Sequence, residues 1–370
     1  ADKRFNFLAV YHVGDRRFVQ LATETMRDVT LAATQRYAVG YDNTTYQLRD
    51  GIDGGRRRDV YAVDVKSGEA QNIIPAFRWG VSLSPDGTKA LYYNNSHYHI
   101  YDFENDSHTN ISASLPVNFI NVADDHNVEN PPIGSVGWVS DSKSVLLTDA
   151  WDIWKVDIDG DDYSNLTKTG RAEGIRYRRP LRYDPDQDGI DLSRSVYLEM
   201  YGEWTKKTGL AKLTSNGRNI ETLLWDEVRN SVRRAENAET FVYTKETFTE
   251  FPDVWAARGS FDDPVRLTDA NPQQADYAWS AGTRLLDFVT DKGDSLQAAL
   301  YLPAGYTEGE KYPTVVYIYE KLSQNVNRYV VPNETRAFNI SVFTSRGYAV
   351  LTPDIVYKIN DPGMSAVWSV

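Results

Sequence analysis

Apolar and polar residues alternate with a period of two along much of the first 280 residues, and the pattern is clearest in residues 137–167. Within that stretch, residues 152–158 alternate with a period of two, which is typical of a strand with two different faces. Turn-forming residues rich in Ser, Asp and Gly separate the apolar runs at 140–143 and 159–161. We therefore predict a unit of four short antiparallel strands here.

The core of this unit recurs along the chain, as Asp59-Val60-Tyr61, His99-Ile100-Tyr101, Asp152-Ile153-Trp154 and Asp253-Val254-Trp255. The repeats are roughly 40–50 residues apart, with a double interval before the last that has room for a further unit at residues 196–213. Four-stranded units at this period predict a β-propeller. We count about six units in residues 1–280, the first of them incomplete, and expect them to be part of a propeller of about seven or eight blades. The long inserts 112–135 and 171–195 are predicted to be loops.

The pattern changes near residue 281, where a different kind of domain is predicted. Residues 285–302 read as a strand pair, and the apolar run 314–319 predicts a strand buried on both faces. Residues 335–346 can form a short helix, and 348–352 predict the next buried strand. Strand, helix and strand in this order open an α/β domain, so we predict a propeller in residues 1–280 followed by the first part of an α/β domain in 281–370.

Composition and charge exclude several classes of function. The chain carries 40 Lys and Arg against 52 Asp and Glu, a formal net charge of −12, which disfavours nucleic acid as a partner because such partners need basic surfaces. The sequence has no Cys, so it offers neither disulfides nor thiolate metal sites. No apolar run approaches the ~18 residues that a membrane span requires. The oligomeric state is left open by these observations.

The succession of motifs along nearly the whole chain resembles the prolyl oligopeptidase family of serine peptidases, in its dipeptidyl-peptidase-like branch. The matching stretches are residues 137–157, 248–255, 271–274, 311–313, 317–320 and 347–355. The resemblance implies a propeller that caps an α/β-hydrolase domain and admits peptides rather than folded proteins. It also implies catalytic Ser, Asp and His in that order, oligopeptide substrates, no cofactor, and a secreted or periplasmic location.

The sequence departs from the family at the nucleophile. A hydrolase of this fold needs a Gly-x-Ser-x-Gly turn, and the nearest stretch, residues 363–367 around Ser365, lacks the second Gly. The base must follow the nucleophile in the chain, yet all five histidines come earlier: His12, His97, His99, His108 and His126. We therefore expect these 370 residues to lack the triad, to be inactive alone, and to represent a peptidase shortened before its nucleophile turn.

One catalytic group of the family has a counterpart here. The resemblance implies that a tyrosine after the first long strand of the hydrolase domain donates its hydroxyl to the oxyanion, and Tyr319 occupies the matching position, with Tyr317 nearby. The alternative interpretation of Tyr319 is a tyrosine buried in the core or at the end of the sheet.

Two charged clusters allow further hypotheses. Asp184, Asp186 and Asp188 have the spacing of a calcium loop, but Ser195 stands where a calcium-binding Glu is required and Pro185 opposes a helix, so we expect a solvated turn and no metal. A basic cluster could bind a peptide carboxylate or form surface ion pairs, and its members are Arg176, Arg178 and Arg179.

Family members that remove dipeptides hold the substrate amine with acidic residues of the propeller, and Glu246 and Glu250 lie in a matching region. The sequence does not decide which of them, if either, has this role. Two other functions stay open: a stand-alone propeller that binds a peptide, glycan or protein, and an esterase on the same scaffold.

Overall fold

The computed structural model describes residues 6–52, 55–126, 128–182, 184 and 186–370. These residues divide into two compact units. The first unit comprises the described parts of residues 1–124, 128–166 and 187–194, and the second comprises the described parts of 125–127, 167–186 and 195–370. The chain therefore enters each unit more than once. The predicted boundary at residue 280 stays a prediction.

The first unit contains one two-stranded sheet and three four-stranded sheets among its described residues, each an antiparallel meander in chain order. The two-stranded sheet consists of β1 (Ala9–His12) and β2 (Arg17–Gln20). The next consists of β3 (Asp28–Leu31), β4 (Tyr37–Asp42), β5 (Arg58–Asp64) and β6 (Ala70–Phe77). The third consists of β7 (Val81–Leu83), β8 (Lys89–Asn94), β9 (His97–Asp102) and β10 (Ser107–Asn110). The fourth consists of β11 (Ser135–Trp138), β12 (Ser144–Thr148), β13 (Ile153–Asp157) and β14 (Tyr163–Asn165).

The unit predicted in residues 137–167 is confirmed by this fourth sheet. Val145 and Leu147 on β12, and Ile153 and Val156 on β13, are fully buried. Burial does not alternate along these strands, because Leu146 and Trp154 are buried as well, so both faces of the sheet are covered. The turn between β13 and β14 contains Gly160, which has a φ of +79°. A Cβ added there would lie 3.0 Å from the backbone of Asn110 and of Ile111, so the position requires a glycine.

Successive sheets of the first unit pack face to face through apolar cores. The first core contains Val19, Leu21, Met26, Ala38, Val63 and Val65. The second lies between the next two sheets and contains Tyr37, Val39, Val60, Phe77, Tyr92 and Tyr101. The third contains Tyr98, Ile100, Phe119, Trp138, Leu147 and Trp154. Four-stranded meanders stacked in this way are propeller blades.

The segment 187–194 adds a partner to the blade formed by β11–β14. Ile190 donates its N–H to the carbonyl of Trp138 at 2.8 Å, and its own carbonyl accepts from the N–H of Ser140 at 3.0 Å. Val139 and Ile190 thus form a parallel bridge beside β11.

The second unit begins with the short helix α1 (Gly170–Glu173) and two further antiparallel meanders. One consists of β15 (Ile175–Pro180), β16 (Val196–Gly202), β17 (Thr208–Leu213) and β18 (Ile220–Asp226). The other consists of β19 (Arg229–Arg234), β20 (Thr240–Glu246), β21 (Asp253–Arg258) and β22 (Val265–Arg266). The core between them contains Tyr197, Leu210, Phe241, Tyr243, Ala257 and Phe261.

The prediction of a loop over residues 171–195 is wrong in part, because β15 lies inside that range. Ile175 and Tyr177 of β15 are buried, but the arginines between and after them hide the alternation in the sequence. The predicted extra unit at residues 196–213 is confirmed as β16 and β17.

A mixed sheet follows, with the strand order β23-β24-β26-β25. Its strands are β23 (Thr283–Val289), β24 (Ser295–Tyr301), β25 (Thr314–Val316) and β26 (Ala349–Pro353). The helix α2 (Ile340–Ser345) connects β25 to β26, which pair in parallel, so the predicted strand–helix–strand is confirmed. The helix α3 (Pro362–Trp368) comes last. Short 3-10 turns lie at Ser215–Gly217, Pro272–Asp276 and Ser323–Asn325.

Two details of this region differ from prediction. The run 314–319 is not buried on both faces: Val316 is 47% exposed and Ile318 is 46% exposed, because β25 is the edge strand of the described sheet. The predicted helix over residues 335–346 begins only at Ile340, where the Asn339 side chain accepts a hydrogen bond from the N–H of Val342.

The described residues are therefore mainly β: five four-stranded blades and one two-stranded blade precede a mixed sheet with a parallel strand pair. The incomplete first blade and the count of about six units agree with the prediction from the repeats. Among the described residues, no helix is long and apolar enough to cross a membrane.

Candidate active site

The parallel strands β25 and β26 bring two loops together at their carboxyl ends. Residues 317–322 follow β25, and residues 354–357 follow β26. In sheets with parallel strands, ligands bind outside these carboxyl ends, where the loops diverge. The geometry thus marks this edge of the sheet as the candidate site.

Tyr319 lies in the first of these loops, with its main chain fixed and its side chain exposed. The Tyr357 hydroxyl donates a hydrogen bond to the Tyr319 carbonyl at 2.6 Å, and the Ile355 N–H donates to the Glu320 carbonyl at 3.3 Å. The Tyr319 side chain is 59% exposed, and its hydroxyl has no hydrogen-bond partner within the described part of the chain. This hydroxyl is therefore available to a ligand at the edge, as an oxyanion donor would have to be.

Tyr317 has a different environment. Its ring stacks on that of Phe338 with a centroid distance of 4.2 Å and an interplanar angle of 11°. Its N–H donates to the Leu351 carbonyl at 2.9 Å and continues the pairing of the parallel strands. The Tyr317 ring thus packs against the protein, whereas the Tyr319 side chain is exposed.

Tyr357 links the two loops by a hydrogen bond, and nearby charges affect the pKa of its hydroxyl. Its pKa is raised by burial, and the negative charges of Glu320 and Asp125 act in the same direction. The N–H of Tyr357 also donates to the Asp125 carboxylate at 3.0 Å. The hydroxyl of Tyr357 therefore stays protonated at neutral pH and keeps its hydrogen bond to the Tyr319 carbonyl.

A buried pair, Ser323 and Asp354, fastens the base of the Tyr319 loop. The Asp354 carboxylate accepts from the Ser323 N–H at 2.8 Å and from its hydroxyl at 2.6 Å. Ser323 is 1% exposed and Asp354 is 6% exposed. Neither residue was predicted from the sequence as a site residue, although Asp354 follows directly after a predicted buried strand, where ligand-binding residues commonly lie.

Ser365, the serine that comes nearest to the nucleophile pattern in the sequence, is not placed as a nucleophile. It lies in α3, is buried, and its hydroxyl donates to the Asp361 carbonyl at 2.6 Å while accepting from the Lys358 N–H at 3.0 Å. A nucleophile turn would instead expose the hydroxyl between a strand and a helix.

The histidines lie outside the two loops. His12 is on β1, His97 and His99 are on β9, and His108 is on β10. His126 lies in the segment 125–127, which groups with the second unit.

The acidic cluster of the calcium hypothesis forms a turn. The Asp186 N–H donates to the Asp184 carboxylate at 2.9 Å, while Pro185 lies outside the described residues. Within the ranges that the structure describes, no three His, Asp or Glu residues are arranged to hold a metal ion, and this includes Asp184, Asp186 and Asp188.

The basic cluster forms protein contacts. The Arg176 guanidinium pairs with Glu203 at 2.5 Å, and the Arg178 guanidinium lies 4.2 Å from the centre of the Tyr201 ring. Arg179, which is largely exposed, pairs with Glu199 at 3.5 Å. These contacts fit the ion-pair interpretation of the cluster.

The two acidic residues of the propeller differ from each other. Glu246 pairs with Arg229 at 3.2 Å, and burial raises the pKa of its carboxyl against the opposing charges of Arg229 and Arg328. Glu250 is exposed, and its N–H donates to the Thr247 hydroxyl at 3.1 Å. A role for either in binding a substrate amine stays a prediction.

Solved structures of peptidases are similar to this chain in fold. A post-proline cleaving enzyme from Rickettsia typhi matches with a TM-score of 0.53 at 11% identity, over 98% of this chain and 54% of that chain. A puromycin-hydrolyzing peptidase from Mycobacterium tuberculosis matches with a TM-score of 0.50 at 14% identity, over 94% of this chain and 54% of that chain. No protein-family model and no curated protein sequence matches this chain.

This chain spans about half the length of these two peptidases. At such low identity the matches establish the fold, which is a propeller followed by the first part of an α/β-hydrolase domain. The resemblance to the prolyl oligopeptidase family is thereby confirmed at the level of the fold.

Proposed function

We propose that this chain is the propeller and the first part of the catalytic domain of a serine peptidase of the prolyl oligopeptidase family, which hydrolyses oligopeptides. The observation that carries the proposal is the placement of Tyr319, with an exposed hydroxyl and a fixed main chain, at the carboxyl end of β25. The fold supports it, because the peptidases that match over nearly the whole chain share that fold.

In this function Tyr319 stabilises the negative charge that develops on the carbonyl oxygen during attack by serine. A hydroxyl held in advance at this point donates a hydrogen bond that is stronger in the transition state than in the ground state. Tyr357 and Ser323 keep the loop in place, so that little reorganisation is needed during the reaction.

The nucleophile and the base come from outside these 370 residues in this proposal. A serine hydroxyl needs a neighbouring base, and no histidine follows His126 in the sequence. We therefore expect the 370-residue polypeptide to be inactive alone. Peptide substrates belong to the protein that also supplies the triad.

A fluorophosphonate probe, which labels activated serines, tests the proposal with two samples. The 370-residue polypeptide is expected to remain unlabelled, and the protein expressed from the native gene is expected to be labelled at one serine and to cleave fluorogenic oligopeptides. An ester substrate assayed beside the peptides separates the esterase alternative. Stoichiometric labelling of the 370-residue polypeptide contradicts the proposal. A native gene product that is neither labelled nor active also contradicts it, and favours a propeller that binds a partner without cleaving it.

A further inference from the structure

The strand β15 carries three arginines, and two of them have carboxylate partners. Arg176 pairs with Glu203 at 2.5 Å, and Arg179 pairs with Glu199 at 3.5 Å. The Arg178 guanidinium, in contrast, forms no ion pair and no hydrogen bond within the part of the chain that the structure describes. Because arginine has five N–H donors in a planar fork, the whole fork of Arg178 is available to a ligand.

Arg178 is exposed, but an aromatic ring holds its guanidinium in place. The guanidinium carbon lies 4.2 Å from the centre of the Tyr201 ring, which is buried in the neighbouring strand β16. A cation over the face of an aromatic ring is attracted to the electrons of that ring. A side chain that is ordered in advance loses little further rotamer entropy when a ligand binds to it.

The hydroxyl of the same ring is a second donor. Burial raises the pKa of Tyr201 to about 12, so the hydroxyl stays protonated at neutral pH. It has no hydrogen-bond partner among the described residues. Arg178 and Tyr201 therefore present a positive fork and a neutral O–H donor without an acceptor of their own, a combination that suits a carboxylate.

The turn that follows Tyr201 is attached to the candidate active site by hydrogen bonds. Residues 203–207 connect β16 to β17, and the Trp204 carbonyl accepts from the Gln297 side chain at 2.9 Å. Gln297 is buried, and its own carbonyl accepts from the Asp354 N–H at 2.8 Å. Asp354 begins the loop after β26, which forms one side of the candidate site.

These connections bring Arg178 within reach of a peptide bound at the edge of the sheet. The three residues from Tyr201 to Trp204 span at most about 11 Å, whereas an extended hexapeptide spans about 20 Å. Trp204 is itself 49% exposed, so the turn is open to a ligand on its outer side.

We infer that Arg178 binds a carboxylate of the substrate peptide, which is either the C-terminal carboxylate or that of an Asp or Glu side chain. The formal net charge of −12 disfavours general attraction of anionic peptides, so a preference for them requires a local basic group such as this one. This inference rests on the proposed function, because it names the class of peptide that the site accepts.

Peptide binding to the 370-residue polypeptide tests the inference without any peptidase activity. Four dye-labelled hexapeptides share one uncharged sequence. One has a free C-terminal carboxylate, one has a C-terminal amide, and two are amides that carry Asp or Asn at the fifth position. We expect a peptide with a carboxylate to bind about 10-fold or more tightly than its uncharged counterpart, as measured by fluorescence anisotropy. The pair that differs identifies the source of the carboxylate, and equal affinity of all four peptides overturns the inference.

Variants assign the preference to Arg178. Arg178→Gln is expected to abolish the difference between charged and uncharged peptides, and Arg178→Lys to recover only part of it, because an ammonium has no fork. Arg179→Gln is the matched control, since Arg179 is the next residue of β15 and its side chain is 82% exposed. A preference that persists in Arg178→Gln, or that disappears equally in Arg179→Gln, contradicts the assignment.

A merely structural role of Arg178 predicts a different result. In that case Arg178→Gln weakens binding of all four peptides alike and lowers the unfolding temperature. If Arg178→Gln does not fold, Tyr201→Phe provides the second variant, because it keeps the ring and removes the hydroxyl. We expect Tyr201→Phe to reduce the preference for the carboxylate about 3-fold or more. An unchanged preference in Tyr201→Phe then excludes the site.

Kinetics of the native gene product separate this inference from the proposed function. For peptides with the preferred carboxylate, Arg178→Gln is expected to raise KM about 10–100-fold with little change in kcat, because the contact is equal in the ground state and the transition state. An inactive native product whose 370-residue polypeptide still prefers the carboxylate removes the proposed function and leaves the binding site. An active enzyme with the same preference before and after Arg178→Gln removes the binding site alone.

Discussion

The backbone N–H and the hydroxyl of Ser323 both donate to the carboxylate of Asp354, at 2.8 Å and 2.6 Å. The two residues are 31 positions apart in the chain, and both are buried. One side chain thereby joins the loop after β25 to the end of β26, and the following prediction depends on it.

Replacing Ser323 by Ala is expected to lower the free energy of unfolding by about 1.5–3 kcal/mol, because a buried carboxylate loses a hydrogen-bond donor. Ser345→Ala is the control, since the Ser345 hydroxyl donates to the Val342 carbonyl on the exposed side of α2. Its effect should stay within about 0.5 kcal/mol. Urea unfolding of both variants provides the measurement, and equal effects would show that the buried pair contributes nothing special.

Tyr319→Phe removes only the exposed hydroxyl. In the native gene product we expect kcat for peptide cleavage to fall about 100-fold or more, with KM little changed. Tyr317→Phe is the matched control, because that ring packs on Phe338 and its hydroxyl has no role in the proposed mechanism. Steady-state kinetics of both variants check the prediction. A Tyr319→Phe enzyme as active as Tyr317→Phe would exclude the oxyanion role.

Two histidines on the third sheet make the stability of the protein depend on pH. His99 stacks on Tyr92 at 5.2 Å, and the His108 Nδ1 lies 2.8 Å from the Tyr92 hydroxyl. Burial lowers the pKa of both histidines, against the opposing charge of Asp106 at His108 and a hydrogen bond to the Asn94 carbonyl at His99.

The unfolded chain therefore binds more protons than the folded one as the pH falls through the ordinary histidine pKa of about 6.5. The free energy of unfolding is expected to decrease from pH 7.5 to pH 5, as measured by urea unfolding. A variant with both His99→Gln and His108→Gln should lose less stability over the same interval. An identical decrease in the double variant would assign the pH dependence to other groups.

Gly209 on β17 has no space for a side chain. An added Cβ would lie 2.0 Å from the Leu224 carbonyl oxygen and 2.8 Å from the Trp225 ring. Gly209→Ala should lower the free energy of unfolding by about 1–3 kcal/mol, because backbone must move to make room. Gly363→Ala is the control in α3, where nothing lies within 4 Å, and it should stabilise by about 0.5–1 kcal/mol. Thermal unfolding that shifts in the same direction for both would contradict this reading.

Short-range sequence patterns predict the strands of the blades. They do not predict how deeply a strand is buried or which distant residues pair. A short apolar run predicts β12 and an approximate alternation predicts β13, with turn residues on either side, because these signals act within a few positions. The exposure of β25 depends on which strands flank it. The late start of α2 depends on the Asn339 side chain, which accepts a hydrogen bond from the N–H of Val342. Ser323 and Asp354 meet only after folding, because 31 positions separate them in the chain, so spacing could not reveal the pair.

Ile190 has a practical consequence for dissecting the protein. It pairs with the end of β11, and its segment, residues 187–194, lies in the sequence between two segments of the other unit. No single cleavage of the polypeptide can release either unit whole, since any cut leaves a piece of one attached to the other. A fragment ending at residue 166 would lack the hydrogen bonds of Ile190 to the blade of β11–β14. It should therefore unfold at a lower temperature than the first unit does within the 370-residue chain.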